Sequence, residues 1–265
     1  MSSPNAPHPV LKPYSATTDY QQAVPDPLAH FKAMPWCAAL LSDPGVVHVA
    51  VPDRHPLPGG ESNFVHKTMN SATTVRASVT FIRVVKPAKS KPSSNSNSKP
   101  TPATPSSSSS LPSPEAATGQ SSSPADLRAP KGSGWVPEAM LEGGGRANGE
   151  DPRNPFLLLH ALADLGVDCQ SFPGIMHGGL YGVLLDEVMG TAANSQTKNG
   201  AYTVRFTTNF RRAVRTPQVV LIRGRVIRRD GRKLHVRGTI EDKDGNIMAE
   251  GDGLWLDRNI GPSKL

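Results

Sequence analysis

Two cysteines in 265 residues are too few for a disulfide framework. Cys37 and Cys169 lie far apart and match no metal-ligand spacing, a usage that fits a reducing compartment and leads us to expect no metal. Aromatic residues make up only 5% of the chain and do not interleave with its arginines as base-stacking platforms would. The formal charge of +7 therefore does not point to nucleic acid. No apolar run approaches the roughly 18 residues of a membrane span, so none is expected. The polar, proline-rich start does not read as a secretory signal.

Proline, by contrast, is abundant at 26 residues, and serine is concentrated in one run. From about Pro87 to Pro130 the chain is almost entirely Ser, Pro, Lys, Thr, Ala and Asn. Such a stretch cannot bury enough apolar surface to offset the entropy of ordering, so a disordered insertion is expected at about 87–150. Residues 1–74 read as an irregular arm followed by short helices, 75–257 as one domain carrying that insertion, and 258–265 as a tail. The tail closes on Ser263-Lys264-Leu265, the peroxisomal address read by an import receptor, which implies a peroxisomal location.

Local patterns give the order of elements. Asp26-Pro27 is a helix start, with Leu28, Phe31 and Met34 at helical spacing, and a second short helix follows from Trp36 to Leu41. The next thirty residues show no clear period, and His55 and His66 there read as ordinary surface histidines. Val75–Val85 is β-branched and strand-like. Phe156-Leu-Leu-Leu-His-Ala-Leu-Ala reads as a second strand, although its continuous apolar character also suits a helix. One long helix is expected from about His177 to Ser195. Four strands follow at Ala201–Arg212, Gln218–Arg229, Lys233–Glu241 and Ile247–Leu256, with hairpin turns at Asp230-Gly231 and Asp244-Gly245. Taken in sequence they predict an antiparallel meander with the helix over one face, an α+β fold.

The chemistry-bearing stretch is Pro173–Ala193. A His177-Gly178-Gly179 turn opens the long helix, which carries its first carboxylate, Asp186, nine residues after His177. The first N–H groups of a helix lack internal acceptors and lie at its positive end, so they stabilise an oxyanion. Gly178 and Gly179 let another atom approach them. Gly179, Gly182, Asp186 and Gly190 share one helical face, open to another chain or a ligand, and the opposite face with Leu180, Val183, Leu184 and Val188 packs on the sheet. Glu187 competes with Asp186 as the acid but turns toward the apolar face. Singly, each feature has a plain alternative: a tight turn, a helix-surface acid paired with arginine, an ordinary strand threonine at Thr203.

Together, Gly174-Ile175-Met176-His177-Gly178-Gly179 with Asp186, the strand Thr203-Val204-Arg205-Phe206-Thr207-Thr208-Asn209-Phe210-Arg211-Arg212 and the turn Asp230-Gly231-Arg232-Lys233 resemble the thioesterase superfamily. The likeness is to acyl-coenzyme A thioesterases similar to human thioesterase superfamily member 4, and in the N-terminal helices to filamentous-fungal members. The resemblance spans roughly Phe156 to Leu256. It implies a hotdog fold, a long central helix wrapped by a curved antiparallel sheet with an N-terminal helical extension. It also implies a homodimer or dimer of dimers with its site at the interface, and hydrolysis of an acyl-coenzyme A thioester. Coenzyme A would be substrate, with no bound cofactor. By resemblance Asp186 is general base or nucleophile, the Gly178 N–H polarises the carbonyl beside Gly179, the partner's Thr203 orients water or Asp186, and His177 fixes the turn. Ser171 stands where some members carry Asn or Gln. Arg211, Arg232 and Lys233 would meet the phosphates of coenzyme A.

Three other readings stay open: a silent acyl-coenzyme A or acyl-carrier binding module, release of a specialised fungal metabolite, and a hydratase. The last is disfavoured because Asp186 is followed five residues later by Thr191 and not by His.

Overall fold

A computed structural model describes residues 19–60, 62–85 and 156–258 of the chain. The insertion expected at 87–150, most of the N-terminal arm and Ser263-Lys264-Leu265 lie outside the described residues. Helices α1 (Pro27–Lys32) and α2 (Pro35–Leu41) are followed by β1 (Val46–Ala50), a single wide turn at Phe64–Thr68, β2 (Val75–Val85) and β3 (Phe156–Leu165). A small hairpin of β4 (Gln170–Phe172) and β5 (Ile175–Met176) leads into the long helix α3 (Gly178–Asn194). The chain closes with β6 (Ala201–Phe210), β7 (Gln218–Asp230), β8 (Lys233–Glu241) and β9 (Ile247–Asp257).

Seven of these strands form one sheet in the order β1-β2-β3-β7-β8-β9-β6, every pair antiparallel. The long helix over an antiparallel sheet is the α+β arrangement expected, but the strand order corrects the simple meander. β6 does not pair with β7; it lies at the far edge beside β9. The connection after β6 passes the start of α3 and is fastened there. The Tyr181 hydroxyl donates to the Arg212 carbonyl at 3.3 Å and accepts from the Val214 N–H at 2.7 Å, while Met176 N–H reaches the Val214 carbonyl at 2.9 Å. This crossover delivers β7 to β3, so only β7, β8 and β9 run as a meander.

β3 is a strand because it is central and covered on both faces. Leu159, Ala161, Ala163 and Leu165 point to α3, whereas Leu162 joins Phe31, Cys37, Leu41, Val79 and Phe81 in a second apolar cluster under α1 and α2. The N-terminal helices are also tied electrostatically, since buried Asp164 meets His30 Nε2 at 2.9 Å and Arg76 Nη2 at 2.7 Å. Two elements without a clear sequence period were missed, β1 and the β4–β5 hairpin. β1 adds to the sheet edge by pairing with β2.

Part of the basic character is internal or paired: Arg223 and Arg225 are buried. Buried Arg223 pairs with buried Glu241 at 3.0 Å, and Glu241 also accepts from Thr239 at 2.7 Å. His160 stacks on Phe81 at 4.6 Å between ring centres, with Nε2 3.1 Å from Arg223 and Nδ1 3.1 Å from the Leu158 carbonyl. These contacts fix a neutral ring that donates from Nδ1 and accepts at Nε2. Burial first, then the Arg223 charge, holds its pKa well below the ordinary histidine value. Arg229–Asp257, Arg237–Asp252 and Arg228–Asp230 pairs use further cations of the same sheet.

The approach of α3 to the sheet depends on three glycines in register across β7, β8 and β9: Gly224 faces Gly238, and Gly238 faces Gly251. A Cβ at Gly224 would sit 3.0 Å from the Val188 carbonyl of α3, and at Gly238 or Gly251 it would sit 2.7 or 2.9 Å from Met189 Sδ. The side chain of Met189 fills the channel that the missing side chains leave. Gly224→Val forces the helix off this seat and costs about 1–3 kcal/mol. Thermal unfolding should show a melting temperature lower by roughly 3–10 °C.

Candidate active site

The start of α3 is held before its first turn is made. Gly174, at φ +72°, turns the chain out of β4, buried Met176 anchors β5, and the His177 N–H reaches the Cys169 carbonyl at 2.8 Å. His177 is the N-cap: its Nδ1 accepts from the Gly179 N–H at 2.9 Å, and its carbonyl accepts from Leu180 at 2.9 Å. A Cβ on Gly179 would lie 3.2 Å from the imidazole, so glycine there leaves the capping ring its room. The two glycines thus separate in role. The Gly179 N–H is occupied by His177, whereas the Gly178 N–H has no partner among the described residues and is exposed at the positive end of the helix.

Asp186 is half-buried on the side of α3 that faces β6, where it accepts a hydrogen bond from Thr203 Oγ1 at 2.8 Å. Thr203, expected to reach Asp186 from a partner, meets the Asp186 of its own chain here. Only residues 195–200 join α3 to β6, so the strand returns beside the helix and the bond forms within one chain. The small helical face is also less open than expected. Phe206 lies 3.7 Å from the position of a Gly182 Cβ, and Trp255 lies 3.4 Å from that of Gly190. The two principal groups also lie far apart along the helix. Gly178 and Asp186 are eight residues apart, about 12 Å along the axis, and cannot both meet one carbonyl from a single chain.

Glu187 turns the other way, as expected from its place on the helix. It borders an apolar cavity opposite Arg54, which donates to the Val65 carbonyl and to Ser78 Oγ, each at 3.0 Å. Desolvation raises the Glu187 carboxyl above its ordinary value, opposed by Arg54 and reinforced by Asp186. Arg54 went unnoticed in the sequence because it lies in the proline-rich stretch without periodicity and acquires its neighbours only through tertiary packing.

The remaining candidates are dispersed. Ser171 is exposed on β4. Arg211 is paired with Glu250 through Nε and Nη2 at 2.8 and 2.6 Å, and Arg232 Nε donates to the Asp257 carbonyl at 3.0 Å. Arg211 sits by the start of α3, while Arg232 and exposed Lys233 lie at the β7–β8 turn, whose Arg229 touches Gln196 beyond the end of α3. A helix of 17 residues separates them by about 24 Å. The three cations do not form one phosphate site within a chain.

Because the folded-state pKa of Glu187 is raised, the unfolded chain loses this proton first as pH rises. Its protonated form therefore contributes stability below the unfolded carboxyl pKa that is lost as pH climbs through the folded value. Glu187→Gln should unfold at a higher temperature than the parent at pH 7, with the gain shrinking as both are taken toward pH 4.

The stretch containing this geometry, residues 173–249, matches the family model of the Thioesterase superfamily. No curated protein matches the chain. Among solved structures, a thioesterase superfamily protein shares 27% identity, with 42% of this chain and 53% of that one covered and a TM-score of 0.35. The matched part is thus about half of that protein. A Streptococcus mutans protein bound to acetyl CoA shares 18% identity over 37% of this chain and 79% of that one, at a TM-score of 0.36. A hypothetical thioesterase protein with coenzyme A from Streptococcus pneumoniae shares 16% identity over 37% and 77%, also at 0.36.

Proposed function

We propose that this chain is a thioester hydrolase that cleaves an acyl-coenzyme A to a carboxylic acid and free coenzyme A. The observation that carries this reading is Asp186, held by Thr203 in the stretch that matches the Thioesterase superfamily. Asp186 is placed to take a proton from water as the water oxygen attacks the thioester carbonyl carbon. Charge then develops on the carbonyl oxygen, for which an unpaired helix N-terminal N–H is a preorganised donor. Collapse of the tetrahedral intermediate breaks the C–S bond, and the proton passes to the departing thiolate.

The 12 Å between Gly178 and Asp186 gives this proposal its assembly. Two copies with their α3 helices antiparallel would set Asp186 of one chain against the partner's Gly178, making two equivalent sites in a homodimer. Exposed β6 supports such an interface. It is an edge strand, with Tyr202 and Val204 59% and 58% exposed, a surface that solitary proteins rarely leave uncovered. His177 is a positioning residue in this account: it orders the turn that presents Gly178.

Two substitutions separate the roles. Asp186→Asn should lower kcat at least about a hundredfold, the lower range for loss of a general base. Gly178→Pro deletes the N–H at the first helical position, where proline is tolerated, and His177 already has the extended backbone that a following proline requires, φ −62° and ψ 132°. Loss of that donor should cost about 10²–10³ in kcat with the melting temperature retained. Thiol release from short, medium, long and aromatic acyl-coenzyme A esters is the assay. No turnover by the parent protein contradicts the proposal and leaves a binding module as the account.

A further inference from the structure

The sheet-facing side of α3 borders a partly open cavity of about 160 Å³ that the Asp186 chemistry leaves unused. Its origin is a local run of small residues. Where β3 passes under the helix it presents Ala161 and Ala163, and the neighbouring positions of β2 are Ser78 and Thr80. Larger side chains there would have filled the space. The roof is formed by Pro52–Arg54 with Val65, His66 and Met69, which belong to the N-terminal part of the chain and lie outside the family match. Arg54 fastens this roof to the sheet, bridging the Val65 carbonyl and Ser78 Oγ. The helical wall is apolar, with Leu180, Val183, Leu184 and Val188, and Glu187 stands at its polar margin opposite Arg54.

We propose that this cavity receives the apolar end of the acyl group and limits it to about six carbons or one aromatic ring. The inference rests on the thioesterase reading above and names its substrate class. The size follows from comparison with apolar protein cavities of about 150 Å³, which hold one benzene. On the helix the lining begins at Leu180, in the first turn that Gly178 opens, so the cavity flanks the end of α3 that carries the exposed N–H. The two residues from Gly178 to Leu180 carry the helix through about 200°, so the acyl substituent of a carbonyl polarised at Gly178 enters the cavity by passing round the first turn of α3. Coenzyme A itself is larger than this space and stays outside it. A sixteen-carbon chain exceeds the volume and would leave most of its length projecting from the mouth.

The test compares acetyl-, hexanoyl-, octanoyl-, phenylacetyl- and palmitoyl-coenzyme A hydrolysis, together with calorimetric binding of hexanoate and phenylacetate, in the full-length chain. The parent should favour the hexanoyl and phenylacetyl esters. Ala161→Leu fills the cavity and should lower kcat/KM for those two at least about tenfold, and weaken the two acids comparably, the discrimination a few methylenes provide in an apolar pocket. Acetyl-coenzyme A hydrolysis should change less than threefold. Val183→Ala enlarges the cavity and should move the preference toward the octanoyl ester, a gain that misfolding does not mimic. Turnover that neither substitution redistributes overturns the cavity assignment and leaves the hydrolase standing. Binding of the acids that Ala161→Leu abolishes, without turnover of any ester by the parent, keeps the cavity and overturns the hydrolase. Neither binding nor turnover overturns both.

Discussion

The close seating of α3 on the glycine row of β7, β8 and β9 is the constraint on which everything else depends. A helix ordinarily stands off a sheet because two layers of side chains lie between them. Here Gly224, Gly238 and Gly251 remove one layer beneath Met189, and the Val188 carbonyl comes within 3.0 Å of where a Gly224 Cβ would be. The helix cannot slide or rotate on such a seat without striking backbone. Asp186 is therefore directed to β6 and Glu187 to the cavity, and the two adjacent carboxylates acquire different surroundings from one rigid element.

The same rigidity separates the parts of the site. His177 closes the first turn and occupies the Gly179 N–H, leaving the Gly178 N–H as the exposed donor. Asp186 lies two turns further on, beside Thr203. A straight helix fixes that separation, so hydrolysis through both groups demands a second chain. The edge position and exposed apolar side chains of β6 are consistent with that demand. The N-terminal segment contributes in a different way, by roofing a void that the small side chains of β2 and β3 leave open.

Much of this architecture was readable residue by residue. Asp26-Pro27 marked α1, the β-branched run marked β2, and the Asp-Gly pairs marked both hairpins because each signal is local. His177-Gly178-Gly179 marked the helix start for the same reason. The Lys233–Glu241 alternation gave β8 its bounds. What stayed hidden is tertiary. The pairing of β6 with β9 depends on the crossover fastened by Tyr181, and nothing in the strand itself specifies it. Thr203 reaches Asp186 of its own chain because of that path. The glycines at 224, 238 and 251 look unrelated in sequence and become one row only through register. Arg54 lies in a stretch with no period at all, and β1 is recognisable only by its pairing with β2.

If one site draws Asp186 from one chain and the Gly178 N–H from another, two defective chains must complement each other. Asp186→Asn and Gly178→Pro chains, each inactive alone, would be co-refolded in equal amounts and assayed for thiol release. Half the dimers are then mixed, and each mixed dimer has one site with both defects and one with neither. The account predicts recovery of about a quarter of parental activity. Recovery of none, with mixed dimers shown to form, would contradict a shared site and place both groups, if they act at all, within a single chain.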